Sequence, residues 1–455
     1  MSDQPVTAVK PGSHRGHGQI TRGLRDLPRS PMFEGRFGRL FRKLDPLVLE
    51  DSVLEALAAA MQEGASAGGG WNAGAPAADE ENPAIPAGFT YLGQFIDHDI
   101  TFDPASSLQR RNDPDALVSF RSPRFDLDSL YGSGRHDEPF QYDQESGGVK
   151  FLIENNKLGV PDLPRNSQGT ALIGDPRNDE NIIVSQLHFL FLRFHNRVID
   201  KLSPEGLQDD ELFDEAQQIV RWHYQWIVVH DFLPRLIGAE LANDLLAYDE
   251  KKQSWDATLR WYRARVNAFM PLEFSAAAYR FGHSQIRPTY DLNPAVRQIP
   301  IFSPSEPAPE LGHLGGFRLL PPAWSIDWSF FFGDGATAPN VQPSRKINSR
   351  ITDALTVLPS THGATRMGLA IRNLLRGREL KLPSGQRVAA AMKAKPLTEN
   401  ELGLSHESPL WHYVLKEAEV QQAGTRLGEV GGRIVGGGSR RLADERCTGI
   451  REYGT

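Results

Sequence analysis

A single cysteine, Cys447, in 455 residues excludes an intramolecular disulfide and any cysteine-based zinc or iron–sulfur site. Stability therefore has to come from packing. Long hydrophobic runs are missing too: nothing approaches the roughly 18 consecutive apolar residues of a membrane span, so none is expected. The polar start, Met1 to Gly18, lacks the apolar run of a secretory signal, which leaves a cytoplasmic protein or one exported by another route. There is no excess of positive charge either. With 50 Lys+Arg against 57 Asp+Glu the formal net charge is −7, so neither nucleic acid nor an anionic membrane surface is an expected partner. No fixed-period repeat is visible, and period-two alternation is too sparse for a major sheet.

What is present reads as a mainly α chain. Hydrophobic residues make up 40% and charged residues 24%, an ordinary globular balance. Residues 1–30, rich in Gly, Pro, Ser and Arg, form a loose arm. Phe37, Leu40 and Phe41, then Val53, Leu54, Leu57 and Met61, recur near helical spacing and predict one or two short helices, interrupted at Pro46. A Gly/Ala linker covers Gly64 to Ala78, and residues 104–175 are dominated by turn residues. Helices are expected over Ile182 to Leu202, Asp210 to Phe232 (closed by Pro234), Leu272 to Gln285 (ended by Pro288) and Ala364 to Leu380. Residues 31–435 make one large domain, and 436–455, beginning Gly-Gly-Gly-Ser-Arg-Arg, look unlike core.

Five stretches carry side chains that could do chemistry. In Gly93-Gln-Phe-Ile-Asp-His-Asp99, a helix would put Gln94 and His98 at i and i+4 on one face, with Asp97 beside them and Asp99 turned elsewhere. A buried His with two acidic neighbours suggests one wall of a polar site. Gly174-Asp-Pro-Arg-Asn-Asp-Glu180 contains Arg177 and Glu180, but a helix cap accounts for the Asp and Asn just as well. Around Tyr279-Arg-Phe-Gly-His283, Arg280 lies one turn before His283, and a satisfied core histidine is the competing reading. Asn373 and Arg376 share a helix face, whereas Arg372 and Arg378 suit a solvated basic face. In an extended Ser122-Pro-Arg-Phe-Asp-Leu-Asp128, period two brings Ser122, Arg124, Asp126 and Asp128 to one side. Oxygen ligands there suit calcium, although the EF-hand pattern is absent.

Taken in order, these stretches resemble the animal-type haem peroxidases, the myeloperoxidase and cyclooxygenase superfamily, in a bacterial-type branch, over roughly residues 80 to 435. The resemblance implies a single large domain of helices packed around a buried haem, with little sheet. It implies that His98 is the distal histidine, Gln94 its hydrogen-bonded neighbour and Arg177 the distal arginine. His283 would ligate the haem iron and Asn373 would accept its ring proton, while Arg280 and Arg376 face haem propionates. Asp97 and Glu180 would esterify the haem b methyls. Calcium would be held by Asp99 with Ser122, Arg124 through its carbonyl, Asp126 and Asp128.

The implied activity is reduction of hydrogen peroxide through a ferryl intermediate, with oxidation of a halide or small organic donor. Three departures from the family's pattern bear on this. Asn181 stands where myeloperoxidase has a methionine link, so at most two esters are expected. Phe194 replaces the acid usual between Arg193 and His195. Tyr279 lies four residues before His283, and Arg280 occupies the position of the cyclooxygenase tyrosine. A fatty-acid dioxygenase and a haem-binding protein with decayed catalysis are the alternatives.

Overall fold

The computed structural model describes residues 37–66, 78–101, 123–207, 209–246, 248–249, 254–255, 261–262, 269–303, 311–333, 339–356 and 368–442. The N-terminal arm, Ser122 and residues 364–367 of the last expected helix lie outside them. Thirteen α-helices occur among the described residues. They are α1 Asp51–Ala60, α2 Gly88–Ile100, α3 Asp128–Tyr131, α4 Ile182–Leu202, α5 Asp209–Ile227, α6 Leu233–Ile237 and α7 Ala239–Leu246, then α8 Leu272–Ser275, α9 Leu369–Glu379, α10 Gly385–Met392, α11 Glu399–Leu402, α12 Leu410–Gln422 and α13 Glu429–Leu442. Among the described residues strands occur only as five two-stranded pairs. The longest, Glu81–Pro86 against Pro343–Arg345, delivers the chain to α2. No helix among the described residues is long and apolar enough to cross a membrane. The expected mainly α architecture with little sheet is what folds.

The buried apolar side chains form one cluster running from Phe41 to Val435. Its centre is the contact of α2 with α4 and α5. Phe95 stacks on Phe191 of α4 at 4.9 Å and 5° and meets Tyr224 of α5 edge-on at 6.1 Å, which fixes α2 in rotation as well as position. Helix α4 keeps the bounds its periodicity predicts, because Asn181 caps it through Val184 N at 2.9 Å and Ile183, Leu187, Phe191 and Val198 face inward.

Elsewhere the elements differ from expectation. Pro234 does not close the helix after α5; a π-helical turn, Val228–Phe232, carries the chain into α6, where the proline sits in a first turn that needs no N–H from it. Gly238, at φ 84°, is the stop. The helix expected over 272–285 is broken. Ala277 adopts φ −136° and ψ −76°, and Ala278–Gln285 winds as a 3-10 helix. Ser275 O accepts from Arg280 Nε at 3.0 Å, so this carbonyl is claimed by a side chain where an α-helix would continue.

The first residues of the tail expected over 436–455 are helical, since α13 runs to Leu442 and Gly436 to Ser439 are buried; residues 443–455 lie outside the described residues. Glycine is what permits this. A Cβ at Gly438 would lie 2.6 Å from the Phe274 ring, so only a bare backbone can pass there.

Glu417 of α12 caps the start of α13, accepting Val430 N and Gly431 N at 2.9–3.0 Å while fully buried. Burial pushes its carboxyl up to about 7 despite those N–H donors. A raised carboxyl favours the folded state at acid pH. Its contribution should be complete below about pH 4.5 and lost as pH rises through 7, a change of about 3 kcal/mol. Relative to Glu417→Gln, the urea midpoint of the native chain should fall as pH rises across that range, the buried histidines contributing alike to both.

Candidate active site

One wall of the site is the C-terminal half of α2. Gln94 and His98 do share a face, and both point at Glu180: Gln94 Nε2 donates to its Oε1 at 2.5 Å, and His98 Nε2 lies 3.4 Å from the same oxygen. Asn181 Nδ2 donates to Gln94 Oε1 at 3.0 Å, so Gln94 is held at both ends. On its other side His98 Nδ1 is 2.8 Å from Asn178 Oδ1. His98 is buried, whereas the Glu180 side chain is 40% exposed.

Residues 175–181 face α2. Asp175 caps the 3-10 turn Pro176–Asp179 through Arg177 N and also accepts from Arg177 Nε at 3.1 Å. The cap reading therefore holds for Asp175, and the same strip carries Arg177 and Glu180 to α2. Arg177 Nη2 reaches the carbonyls of His98, at 2.9 Å, and of Thr101, which sit at the end of α2. Burial works against the Arg177 charge, but the Asp175 carboxylate, with Asp97 and Glu180 beyond it, holds its pKa above the ordinary value. Behind the strip, Arg165 grips Asp179 through two bonds of 2.6 and 2.7 Å, with both side chains about 5% exposed or less. The backbone of Gly316 and Phe317 clamps Glu180 O and Asp179 O.

The opposite wall is the 3-10 helix. With three residues per turn, Arg280 and His283 eclipse one another. Asn373 of α9 joins them: its Nδ2 lies 2.8 Å from His283 Nδ1, and its Oδ1 accepts from Arg280 Nη1 at 2.7 Å. The expected acceptor of the ring proton, Asn373 Oδ1, faces Arg280 in this arrangement. Arginine can only donate, so by taking Oδ1 it turns the amide nitrogen toward the imidazole. Burial, then Arg280, push the His283 pKa down to about 3, and the ring is neutral.

Arg280 is half-buried against uncharged acceptors, Ser275 O and Asn373 Oδ1, and desolvation followed by the nearby Arg376 lowers its pKa to about 10. Asp97 reaches across from α2 and acts on Arg177, Tyr279 and Arg280 together, so it lies between the two walls. Tyr279 stacks on Phe274 at 4.7 Å and its hydroxyl donates to Gly93 O at 3.3 Å.

Asp99 turns away, as its position on the helix predicts, and is fully buried against the 123–129 loop. Its carboxylate accepts Leu127 N at 3.2 Å and Ser129 N at 3.3 Å. Leu127 holds φ 58° there, and the Ser129 hydroxyl is buried with no hydrogen-bond partner among the described residues. Asp126 and Asp128 flank it, Arg124 is exposed and Ser122 lies outside the described residues. Among the described residues no three His, Cys, Asp or Glu side chains form a metal cage.

A family model described as animal haem peroxidase matches residues 106–404, about two thirds of the chain. The chain belongs to that family. Relatives include peroxidasin of Drosophila melanogaster, 27% identical over 235 residues, or 49% of this chain and 14% of that protein. Human thyroid peroxidase is 28% identical over 236 residues, 49% of this chain and 23% of that one. The matches thus span under a quarter of these relatives' lengths.

Among solved structures, peroxidase A of Dictyostelium discoideum superposes with a TM-score of 0.58 at 17% identity, covering 92% of this chain and 91% of that one. A fatty acid alpha-dioxygenase of Oryza sativa gives a TM-score of 0.54 at 16% identity, covering 81% and 70%. Both share the helical fold. Membership in the family implies a haem site, and the donor set of this fold fits one. A half-buried arginine with neutral hydrogen-bond acceptors and a second guanidinium near it is suited to carboxylate anions, and a neutral imidazole stands beside it.

Sequence reasoning found both walls but missed what braces them. Asn178 and His188, both fully buried, and the bridging role of Asn181 were not singled out. A histidine inside the apolar run of α4, seven positions past its cap, was the available signal. Removing the brace under Glu180 should be costly: Arg165→Leu leaves the Asp179 carboxylate buried and uncompensated, and chemical denaturation should show a loss of about 3–5 kcal/mol.

Proposed function

We propose that this protein is a haem-dependent peroxidase, an oxidoreductase that reduces hydrogen peroxide and oxidises a halide or small organic donor. The observation that carries the reading is the facing pair of walls: His98 and Arg177 on one side, His283 with Asn373 and Arg280 on the other, and Asp97 between. Bound haem supplies the redox chemistry on peroxide. The protein's part is proton transfer, charge and orientation.

His283 would hold the iron through Nε2, which requires the ring proton on Nδ1. Arg280, once paired with a haem carboxylate, releases Asn373 Oδ1 to accept that proton. On the distal side His98 Nε2 takes a proton from peroxide and returns it to the leaving oxygen, while the Arg177 guanidinium beside it stabilises the negative charge that develops there. Gln94 keeps Glu180 in place. Asp97 and Glu180 are the ester candidates, one from α2 and one from the 175–181 strip.

The same reading assigns calcium to Asp99, Asp126 and Asp128 with the Arg124 carbonyl and Ser122. The orphaned Ser129 hydroxyl beside Asp99 marks this loop as short of a polar partner. Bound calcium would add to the tie that Leu127 N and Ser129 N already make next to His98. The dioxygenase alternative has less support, because Tyr279 spends its hydroxyl on the α2 backbone.

Purified protein supplied with haem should show a Soret band that shifts within seconds of adding peroxide. His283→Ala should lose the band, and His98→Ala should keep it while slowing the peroxide reaction by about 100-fold or more. A His283→Ala protein with intact haem and full turnover overturns the reading. Haem that resists acidified organic solvent in the native protein, after peroxide treatment, and extracts freely from Asp97→Ala/Glu180→Ala supports the esters. Complete extraction from both removes them.

A further inference from the structure

A base at His98 Nε2 exists only while the neutral ring carries its proton on Nδ1; Glu180 Oε1, 3.4 Å from Nε2, favours a proton there, so the group facing Nδ1 has to outweigh it. Here the group is Asn178 Oδ1, at 2.8 Å, an oxygen that can only accept. The amide has a second way to sit. Turned over, it would present Nδ2 to His98, move the ring proton to Nε2 and leave no base. Something must hold Asn178 as it is.

His188 of α4 is placed to do so. Its Nδ1 lies 3.0 Å from Asn178 Nδ2, and an imidazole nitrogen facing an amide N–H must be the accepting one. His188 is fully buried, edge-on to Phe95 at 6.0 Å. Burial pushes its pKa down to about 3, Asp175 opposing and His98 adding, so the ring stays neutral. With Nδ1 accepting, the ring proton is on Nε2, and that nitrogen has no hydrogen-bond partner among the described residues. An orphaned buried N–H is a cost that leucine or phenylalanine would avoid, so packing does not account for a histidine here.

We propose that Asn178 and His188 are positioning residues, a buried two-link chain that holds His98 in the Nδ1–H tautomer so that Nε2 faces Glu180 and Gln94 as the base. Its purpose rests on the peroxidase reading; its geometry does not. The arrangement also serves both halves of a proton shuttle. After Nε2 gains a proton, Nδ1–H still donates to Asn178, and no neighbour has to reorient during the transfer.

The tautomer can be read directly. In the full chain with 15N-labelled histidine, haem-free and loaded with diamagnetic zinc protoporphyrin, ring nitrogen shifts should place the proton of His98 on Nδ1 and that of His188 on Nε2. Asn178→Leu and His188→Phe should turn His98 into a tautomer mixture. His188→Gln should restore it, because the glutamine Oε1 can accept the Asn178 N–H.

With haem bound, Asn178→Leu should lower the second-order rate of the peroxide reaction by about 10- to 100-fold while the Soret band and the KM for donor stay unchanged. A His98 proton on Nε2 in the unaltered chain overturns the proposal, as does a tautomer that Asn178→Leu leaves unmoved. The two readings also fail separately. A His98→Leu protein that reacts at full speed sinks the peroxidase function, whereas a slowed His98→Leu beside an unslowed Asn178→Leu sinks only the positioning role.

Discussion

The last carbonyls of a helix have no partner within it, and α2 ends where the chemistry begins. Arg177 supplies what His98 O and Thr101 O lack, and its positive charge sits at the negative end of the helix dipole. Asp175, fully buried, balances that charge and at the same time caps the turn from which Arg177 projects. One arginine thus joins the 175–181 strip to α2 and sets their spacing. Glu180, Gln94 and Asn178 can meet their partners only because that spacing is kept. The Phe95–Phe191–Tyr224 contact prevents α2 from rolling, so the carbonyls stay where the guanidinium can find them.

The other wall is organised by charge more than by packing. Arg280 lies in the protein interior near a like charge, Arg376, with neutral oxygens as its hydrogen-bond acceptors. The Asp97 carboxylate of α2 acts against that repulsion. Asn373 is then more than a spacer: its amide is shared by a donor that can move to a ligand and an imidazole whose proton position depends on the amide's orientation.

Much of this was legible from residue order. The i, i+4 relation of Gln94 and His98, the opposite facing of Asp99 and the proximity of His283 to Asn373 follow from helical geometry and family resemblance. Helix α4 was read to the residue because its cap and its period agree. What escaped is of two kinds. Where tertiary hydrogen bonds override periodicity, the prediction fails: Ser275 O is taken by Arg280, so an apparently continuous helix breaks at Ala277, and a π turn lets α5 pass into α6. Where glycine replaces side chains, apolar patterning is silent, so α13 beyond Val435 did not read as core. Asn178 and His188 escaped for a third reason. Their importance is in which atoms face each other, and spacing carries no information about that.

The 3-10 winding of Ala278–Gln285 has an effect beyond placing Arg280 over His283. Each residue turns the chain by about 120° and advances it by about 2.0 Å. Tyr279 and His283 are therefore about a third of a turn apart, where an α-helix would nearly align them. A residue gained or lost between Ala277 and His283 would swing the imidazole off Asn373 by that same third. Chain length in these few positions is consequently as constrained as residue identity, and divergence in this stretch can proceed by substitution but not by insertion.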